Sequence, residues 1–237
     1  MGALKAADDP SLATALTRAI DAEEAFLGQA IAAAAGPSQA DAKALEGAAG
    51  RMTDAFAALS GRIDGLAAVD GVSGLTGWVR ARQATSQRRQ GTVAFITAVD
   101  AVLAGARPGR AQIRQVSSAV DSVTIMPDAA RSSIEQVVAN RQAALAAACG
   151  LSVTQTDAAG SIKNLLVESF ARSLDYDRDL QDGVAAYQSG DFARYIAKLF
   201  EDRQRSNDAA TKAKRDFLDA YNKLRASRGL TPVGDDF

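Results

Sequence analysis

The 237-residue chain carries 27 basic and 28 acidic residues, no histidine and a single cysteine. Balanced charge argues against a nucleic-acid binder, since such proteins usually present a basic surface to the phosphates. Without histidine the chain lacks the commonest general base and the commonest metal ligand, so we expect no metal centre and no enzymatic activity.

Motifs for cofactors and membranes are also missing. The glycines at 71, 74 and 77 are not followed by the Lys-Ser or Lys-Thr pair of a phosphate-binding loop, so we expect no cofactor. No apolar run is long enough to cross a bilayer, and the chain is expected to be soluble with no integral membrane segment. Its compartment stays open between the cytoplasm and export with a trimmed leader.

The first two predicted helices have clear boundaries. Pro10 and the pair Gly36-Pro37 bound a helix over residues 10 to 35. Its predicted buried face consists of Leu12, Leu16, Ile20, Glu23, Leu27 and Ile31. The second helix, to about residue 69, has the alternating four-three spacing of coiled-coil packing, at Leu45, Ala49, Met52, Phe56, Leu59, Ile63 and Leu66.

A third helix is predicted over residues 75 to 104, ended by the stretch from Gly105 to Gly109, which contains Pro108. Residues 105 to 127 then read as a hinge or crossover with a short helix. A further helix from about 128 to 150 places Arg141 beside Ile134, Val137, Val138 and Leu145.

The remaining chain contains two more helices. Ser161 is a candidate cap for a helix that carries Asp177 on its apolar side and ends at Ser189-Gly190. Asp191 caps the last helix, whose stretch from Arg203 to Asp208 is polar throughout and is a candidate for a bend or a binding segment. Residues 229 to 237 are expected to form an irregular tail.

These elements predict an all-α fold, an elongated and mainly antiparallel bundle of about six helices or two stacked sub-bundles. The predicted organisation is an N-terminal helical region over residues 1 to 104, the hinge over 105 to 127, a C-terminal helical region over 128 to 228, and the tail. No alternating segment argues for a sheet.

One polar interruption stands out on the apolar stripe of the third helix. Stepping by three and four from Leu75 to Leu103 puts Arg82, Ser86 and Arg89 on the face that should be buried. Burying two guanidinium groups without partners would cost several kcal/mol. Three explanations stay open, and the first is an internal salt-bridge network with Glu23, Asp100 or Asp177.

The second explanation is a rolled helix whose long basic side chains reach the surface. In the third, a small anion is held between helices by the forks of Arg82 and Arg89 and the hydroxyl of Ser86, with Glu23 and Asp177 close by.

Two functions follow from these expectations. The first is a non-catalytic interaction or scaffold protein that acts through protein-protein contacts, with a protein partner or a second copy, and is bacterial by its alanine-rich composition. The alternative is a bacterial ligand-sensing helical bundle that binds a small anion at Arg82, Ser86 and Arg89.

Overall fold

The computed structural model describes residues 10–35, 39–65, 73–121, 127–153 and 157–237. Its long helices are α1 (Pro10–Ala35), α2 (Gln39–Asp64), α3 (Ser73–Asp121), α4 (Pro127–Cys149) and α5 (Asp157–Gln188). The last helical stretch comprises α6 (Phe192–Ile196), a π-helical turn (Ala197–Asp202) and α7 (Arg203–Ala226). The described ranges contain no strand, which confirms the predicted all-α class, and α1 packs on α2 and α4 on α5 as in a bundle.

Two compact units make up the chain. The N-terminal unit contains Met1–Thr97 together with Thr154–Thr156 and Arg225–Thr231, and the C-terminal unit contains Ala98–Val153, Asp157–Leu224 and Pro232–Phe237. The hinge expected over residues 105 to 127 stays a prediction.

The predicted helix end at residue 104 is wrong. Helix α3 continues through Pro108 to Asp121, although a proline inside a helix removes one hydrogen bond and costs about 3 kcal/mol. Burial of Leu103, Ala106 and Ile113 on either side of the proline offsets that cost. Gly109 does not end the helix. It allows α3 to approach α4 closely, because a Cβ there would lie 3.3 Å from Cβ of Asn140 on α4.

The core of the N-terminal unit uses the predicted stripe of α2. Its described members are all buried: Leu45, Ala49, Met52, Phe56, Leu59 and Ile63. Residue 66, the last of that stripe, lies outside the described ranges. The six described residues therefore form intrachain core.

The predicted buried face of α1 is wrong, since Leu12, Leu16 and Glu23 are only half-buried and the other three residues are exposed. Ala19, Phe26 and Ala33 are buried, whereas Ile20, Leu27 and Ile31 are exposed, with Ile31 71% accessible. The helix is rolled by about one residue from the orientation that its largest aliphatic side chains predict. Small alanines on the buried side allow neighbouring backbones to approach, and Phe26 fills the space between them.

The core of the C-terminal unit joins α3, α4, α5 and the π-helical turn. One cluster holds the buried residues Ile113, Val116, Val120, Ala130, Ile134, Val137, Leu180, Val184 and Leu199. Helix α5 begins at Asp157, four residues before the predicted cap Ser161. The predicted stop and start between α5 and α6 is confirmed, since Gly190 has a positive φ of 76° and Asp191 accepts a hydrogen bond from the Arg194 amide.

A close contact accompanies the π-helical turn. Leu199 is its only buried residue, and a Cβ on Gly183 of α5 would lie 2.8 Å from Cδ2 of Leu199. Because glycine has no Cβ, residue 183 leaves enough room for the side chain of Leu199.

The tail forms no helix or strand, yet its last residue is buried. The ring of Phe237 packs edge-on against Phe170 at 5.9 Å and Phe217 at 5.7 Å between centroids. Lys214 lies 4.1 Å from the centroid of the same ring and donates to the backbone carbonyls of Asp235 and Phe237. Burial, followed by the charges of Arg110 and Arg141, lowers the pKa of Lys214 to about 7.

Candidate functional site

Three of the predicted site residues meet in the N-terminal unit. Glu23 of α1 accepts hydrogen bonds from Arg82 and Arg89 of α3, with N···O distances of 2.8 and 3.4 Å. The two arginines lie seven residues apart, so both reach the same side of α3 and one carboxylate can serve them. The carboxylate is 19% exposed, while Arg82 and Arg89 keep 42% and 29% of their side-chain surface in water.

Each of the two guanidinium groups also lies over an aromatic ring. The Arg82 guanidinium carbon lies 5.5 Å from the centroid of Trp78, and that of Arg89 lies 5.6 Å from Phe26. Trp78 is 42% exposed and meets Phe56 edge-on. Such cation-π contacts orient a guanidinium without consuming its hydrogen-bond donors.

Ser86, which lies between the two arginines in the sequence, is buried. Its hydroxyl donates to the backbone carbonyl of Gln83, 2.8 Å away, within the same helix. Of the three residues of the polar interruption, Ser86 is buried, whereas Arg82 and Arg89 are partly exposed and reach Glu23.

Asp177, the fifth predicted residue, lies in the C-terminal unit and has another partner. Its Oδ2 accepts a hydrogen bond of 3.1 Å from Nε of Arg141 on α4, and both side chains are buried. Burial raises the pKa of Asp177 to about 6, although the charge of Arg141 and its hydrogen bond act to lower it. Asp100, the other acid considered, accepts a hydrogen bond from the Tyr221 hydroxyl at 2.7 Å.

A cavity of about 330 Å³ in the N-terminal unit adjoins Arg89. Phe26, Leu27, Ala30 and Ile31 of α1 supply its apolar wall, and Arg89, Ser227, Arg228 and Gly229 supply the rest. The exposed half of the α1 stripe therefore includes one wall of a cavity.

Arg228 is the functional candidate that the sequence did not reveal. Its Nη2 donates weakly to the Thr92 hydroxyl at 3.4 Å, and its buried Nε has no hydrogen-bond partner among the described residues. Burial, and then the charge of Arg89, lower the pKa of Arg228. No local pattern in the sequence marks this residue, which precedes a turn at Gly229, where φ is 71°.

The polar stretch from Arg203 to Asp208 contains a second group of contacts, in the C-terminal unit. Arg203 forms a bidentate salt bridge with Asp121, in which Nη1 donates to Oδ1 at 2.7 Å and Nη2 to Oδ2 at 2.9 Å. Nη2 also donates to the hydroxyls of Ser117 and Tyr176. Burial opposes the charge, but the bond to Asp121 and the interaction with Tyr176 raise the pKa of Arg203. The guanidinium therefore stays charged and fixed.

The described part of the chain contains no group of three or more histidine, cysteine or acidic side chains placed to hold a metal ion. None of the described helices is both long and apolar enough to span a membrane. No protein-family model, curated protein or solved structure matches the chain.

Proposed function

We propose that the protein is a non-catalytic binding protein, and that the cavity beside Arg89 holds a small anion with an apolar body, such as a medium-chain carboxylate. The observation that carries this proposal is that two arginines, Arg89 and Arg228, line the same cavity as Leu27 and Ile31.

The charge balance around the cavity favours an anion. Glu23 is shared between Arg82 and Arg89, so one carboxylate faces two guanidinium groups before Arg228 is counted. The unused Nε of Arg228 and the repulsion between Arg228 and Arg89 both favour a further negative group.

The apolar wall selects the rest of the ligand. Leu27 and Ile31 expose 46% and 71% of their surfaces, and a hydrocarbon chain laid against them would remove that area from water. The cavity volume of about 330 Å³ falls at the lower end of the roughly 300 to 1,000 Å³ of small-molecule sites. A medium-chain carboxylate could bind with its carboxylate group at Arg89 and Arg228 and its hydrocarbon chain along the apolar side chains of α1.

Calorimetric titration with octanoate tests this function. We expect saturable binding of octanoate, and at least tenfold weaker binding of acetate, which lacks the chain, and of 1-octanol, which lacks the charge. Arg228→Met should weaken octanoate binding at least tenfold. The control is Arg88→Met, because Arg88 is exposed on α3 and does not line the cavity.

Two results would contradict the proposal. Octanol that binds as tightly as octanoate would mean that the arginines contribute nothing. An unchanged dissociation constant in Arg228→Met, with the wild-type helical content in circular dichroism, would remove Arg228 from the site.

Protein-protein contact, the other function expected from the sequence, is favoured by an exposed strip in the C-terminal unit. Phe192, Ile196 and Phe200 follow one another at intervals of four residues and are 59%, 53% and 67% exposed. Large apolar side chains in this number beside one another are typical of interaction surfaces. The simplest partner is a second copy, since symmetric dimers are the commonest assemblies.

Sedimentation equilibrium tests the strip. We expect the average mass of the wild type to rise with concentration and that of Phe200→Ser to stay at the monomer value. Val153→Ser, which changes an exposed apolar residue outside the strip, is the matched control. A wild type that is monomeric throughout, or a Phe200→Ser variant that associates equally, would contradict self-association.

A further inference from the structure

A polar pocket of about 530 Å³ lies in the C-terminal unit, among α3, α5 and α7. Its lining includes Arg110, Arg114, Ser117 and Asp121 of α3, Tyr176 of α5 and Asn207 of α7. The side chains that line it are mostly charged or polar. It therefore differs in chemistry from the cavity of the N-terminal unit, with its apolar wall.

The pocket has an excess of positive charge. Arg110 and Arg114 are four residues apart on one helix, a spacing at which like charges repel. Burial lowers the pKa of Arg110, as do the charges of Arg114 and Arg141, while Asp235 acts in the opposite direction. The buried Nε of Arg110 has no hydrogen-bond partner among the described residues.

The carboxylate in the pocket does not neutralise these arginines, because it is engaged elsewhere. Both oxygens of Asp121 accept from Arg203, at 2.7 and 2.9 Å. That pair is compact and neutral overall. Asp121 is the one carboxylate among the described residues of the lining. Outside the lining, Asp235 and Asp177 lie near enough for their charges to act on Arg110. Arg114 and the unpaired Nε of Arg110 are thus the groups that an anion in the pocket would meet.

Hydroxyl groups complete the arrangement. Ser117 and Tyr176 both accept from Arg203 and lie 3.0 Å from each other, so one of their two O–H groups is donated between them. The other O–H is left without a partner among the described residues, and the amide of Asn207 lies in the same lining. The pocket offers neutral donors beside the two guanidinium forks.

From this set of donors, the geometry points to a phosphate monoester of a small polar molecule as the ligand of this pocket. A phosphate group has several equivalent oxygens, so it can accept from two arginines and from hydroxyl or amide donors at once. Its charge of about −1.5 to −2 at neutral pH matches two guanidinium groups better than one carboxylate does. The pocket volume exceeds that of a phosphate group and leaves room for the alcohol portion.

Titration calorimetry at fixed ionic strength, with inorganic phosphate and with glycerol 3-phosphate, tests the assignment. Both probes should bind the wild type in a saturable manner, and the ester at least as tightly as the free ion. Arg114→Gln and Arg110→Gln should each weaken both probes at least tenfold. Arg114 is exposed, so its loss leaves the core intact, and the exposed Arg215 supplies the control Arg215→Gln.

Four outcomes would overturn the assignment. One is the absence of saturable heat with either probe, and a second is unchanged affinity in Arg114→Gln. The third is acetate binding as tightly as phosphate, since that would make the pocket a general anion trap. Binding of the free ion without the ester would likewise exclude a monoester ligand.

Discussion

Each unit contains an arginine-carboxylate group on an apolar helix face, and the two groups differ in their access to water. In the N-terminal unit Glu23 and Arg82 keep 19% and 42% of their side-chain surface exposed. In the C-terminal unit the corresponding values are 0% for Asp177 and 5% for Arg141. The same kind of sequence signal, a charged residue among apolar ones, thus leads to two energetically different structures.

Exposure to water decides how easily each arginine can change its partner. A half-exposed arginine can exchange its partner for a ligand at little cost, because water solvates it in between. A fully buried pair has no such freedom, since removal of one partner strands the other charge in a medium of low polarity. This difference supports the proposal that a ligand binds at Arg89 and its neighbours, whereas Arg141 and Asp177 form a buried pair in the core.

Loss of one partner of the buried pair should destabilise the protein most. Arg141→Ala should lower the free energy of unfolding by about 3–5 kcal/mol, because it leaves the Asp177 carboxylate buried without its cation. Arg82→Ala should lower it by no more than about 1 kcal/mol. Urea denaturation measures both, and equal losses would abolish the distinction between the two groups.

Removing both partners of the buried pair should have a different effect from removing one. Arg141→Met combined with Asp177→Leu replaces the buried pair with apolar side chains, and stability should equal that of the wild type or exceed it by about 1–4 kcal/mol. The same denaturation curves provide the measurement. A loss as large as that of Arg141→Ala would show instead that the pair itself stabilises the fold.

The pH dependence of stability should carry the signature of Asp177. Its pKa is about 6 in the folded protein, against about 3.9 for an unfolded chain, so the folded state holds the proton more tightly. The resulting stabilisation is complete below about pH 4 and is lost as the pH rises through about 6. Denaturation between pH 4 and 7 should show this decline in the wild type, and a smaller decline in the double variant; equal slopes would contradict it.

The smallest expected change in stability concerns the N-terminal unit. Glu23→Gln should alter the free energy of unfolding by less than about 1 kcal/mol, because the pairs it removes are partly exposed. It should also tighten octanoate binding, since it releases Arg89 from a competing carboxylate. Glu24→Gln, at the exposed neighbouring position, is the control for the titration. Weaker octanoate binding in Glu23→Gln would mean that Glu23 orients Arg89 for the ligand.

Where local chemistry decides the structure, the sequence was sufficient. Helix α1 spans the predicted residues 10 to 35, and the turn at Gly190 and Asp191 has the expected conformation. The pairing of Glu23 with Arg82 was foreseeable because each residue interrupts an apolar stripe. Arg141 and Asp177 carry the same signal on adjacent helices, so that pair could have been recognised as well.

Where tertiary packing decides, the sequence misled. Pro108 ends a helix by local rules, yet burial on both sides of it keeps α3 intact. The rotation of α1 depends on the fit of Phe26 and of small alanines, which the periodicity of large aliphatic residues does not encode. The cavity at Arg228 and the pocket at Arg110 combine residues distant in sequence, and no spacing rule brings those residues together.

The position of Arg203 depends on the number of residues in the π-helical turn that precedes it, from Ala197 to Asp202. Its hydrogen bonds close over five residues instead of four, so the turn accommodates one residue more than a regular helix would. A chain one residue shorter here could form an unbroken α-helix, but each residue turns a helix by about 100°. Every later side chain would then rotate by that angle, and Arg203 would leave Asp121 and Tyr176. The segment should therefore accept almost no insertion or deletion in the course of evolution, whereas side chains at exposed positions such as Glu201 can be exchanged more freely.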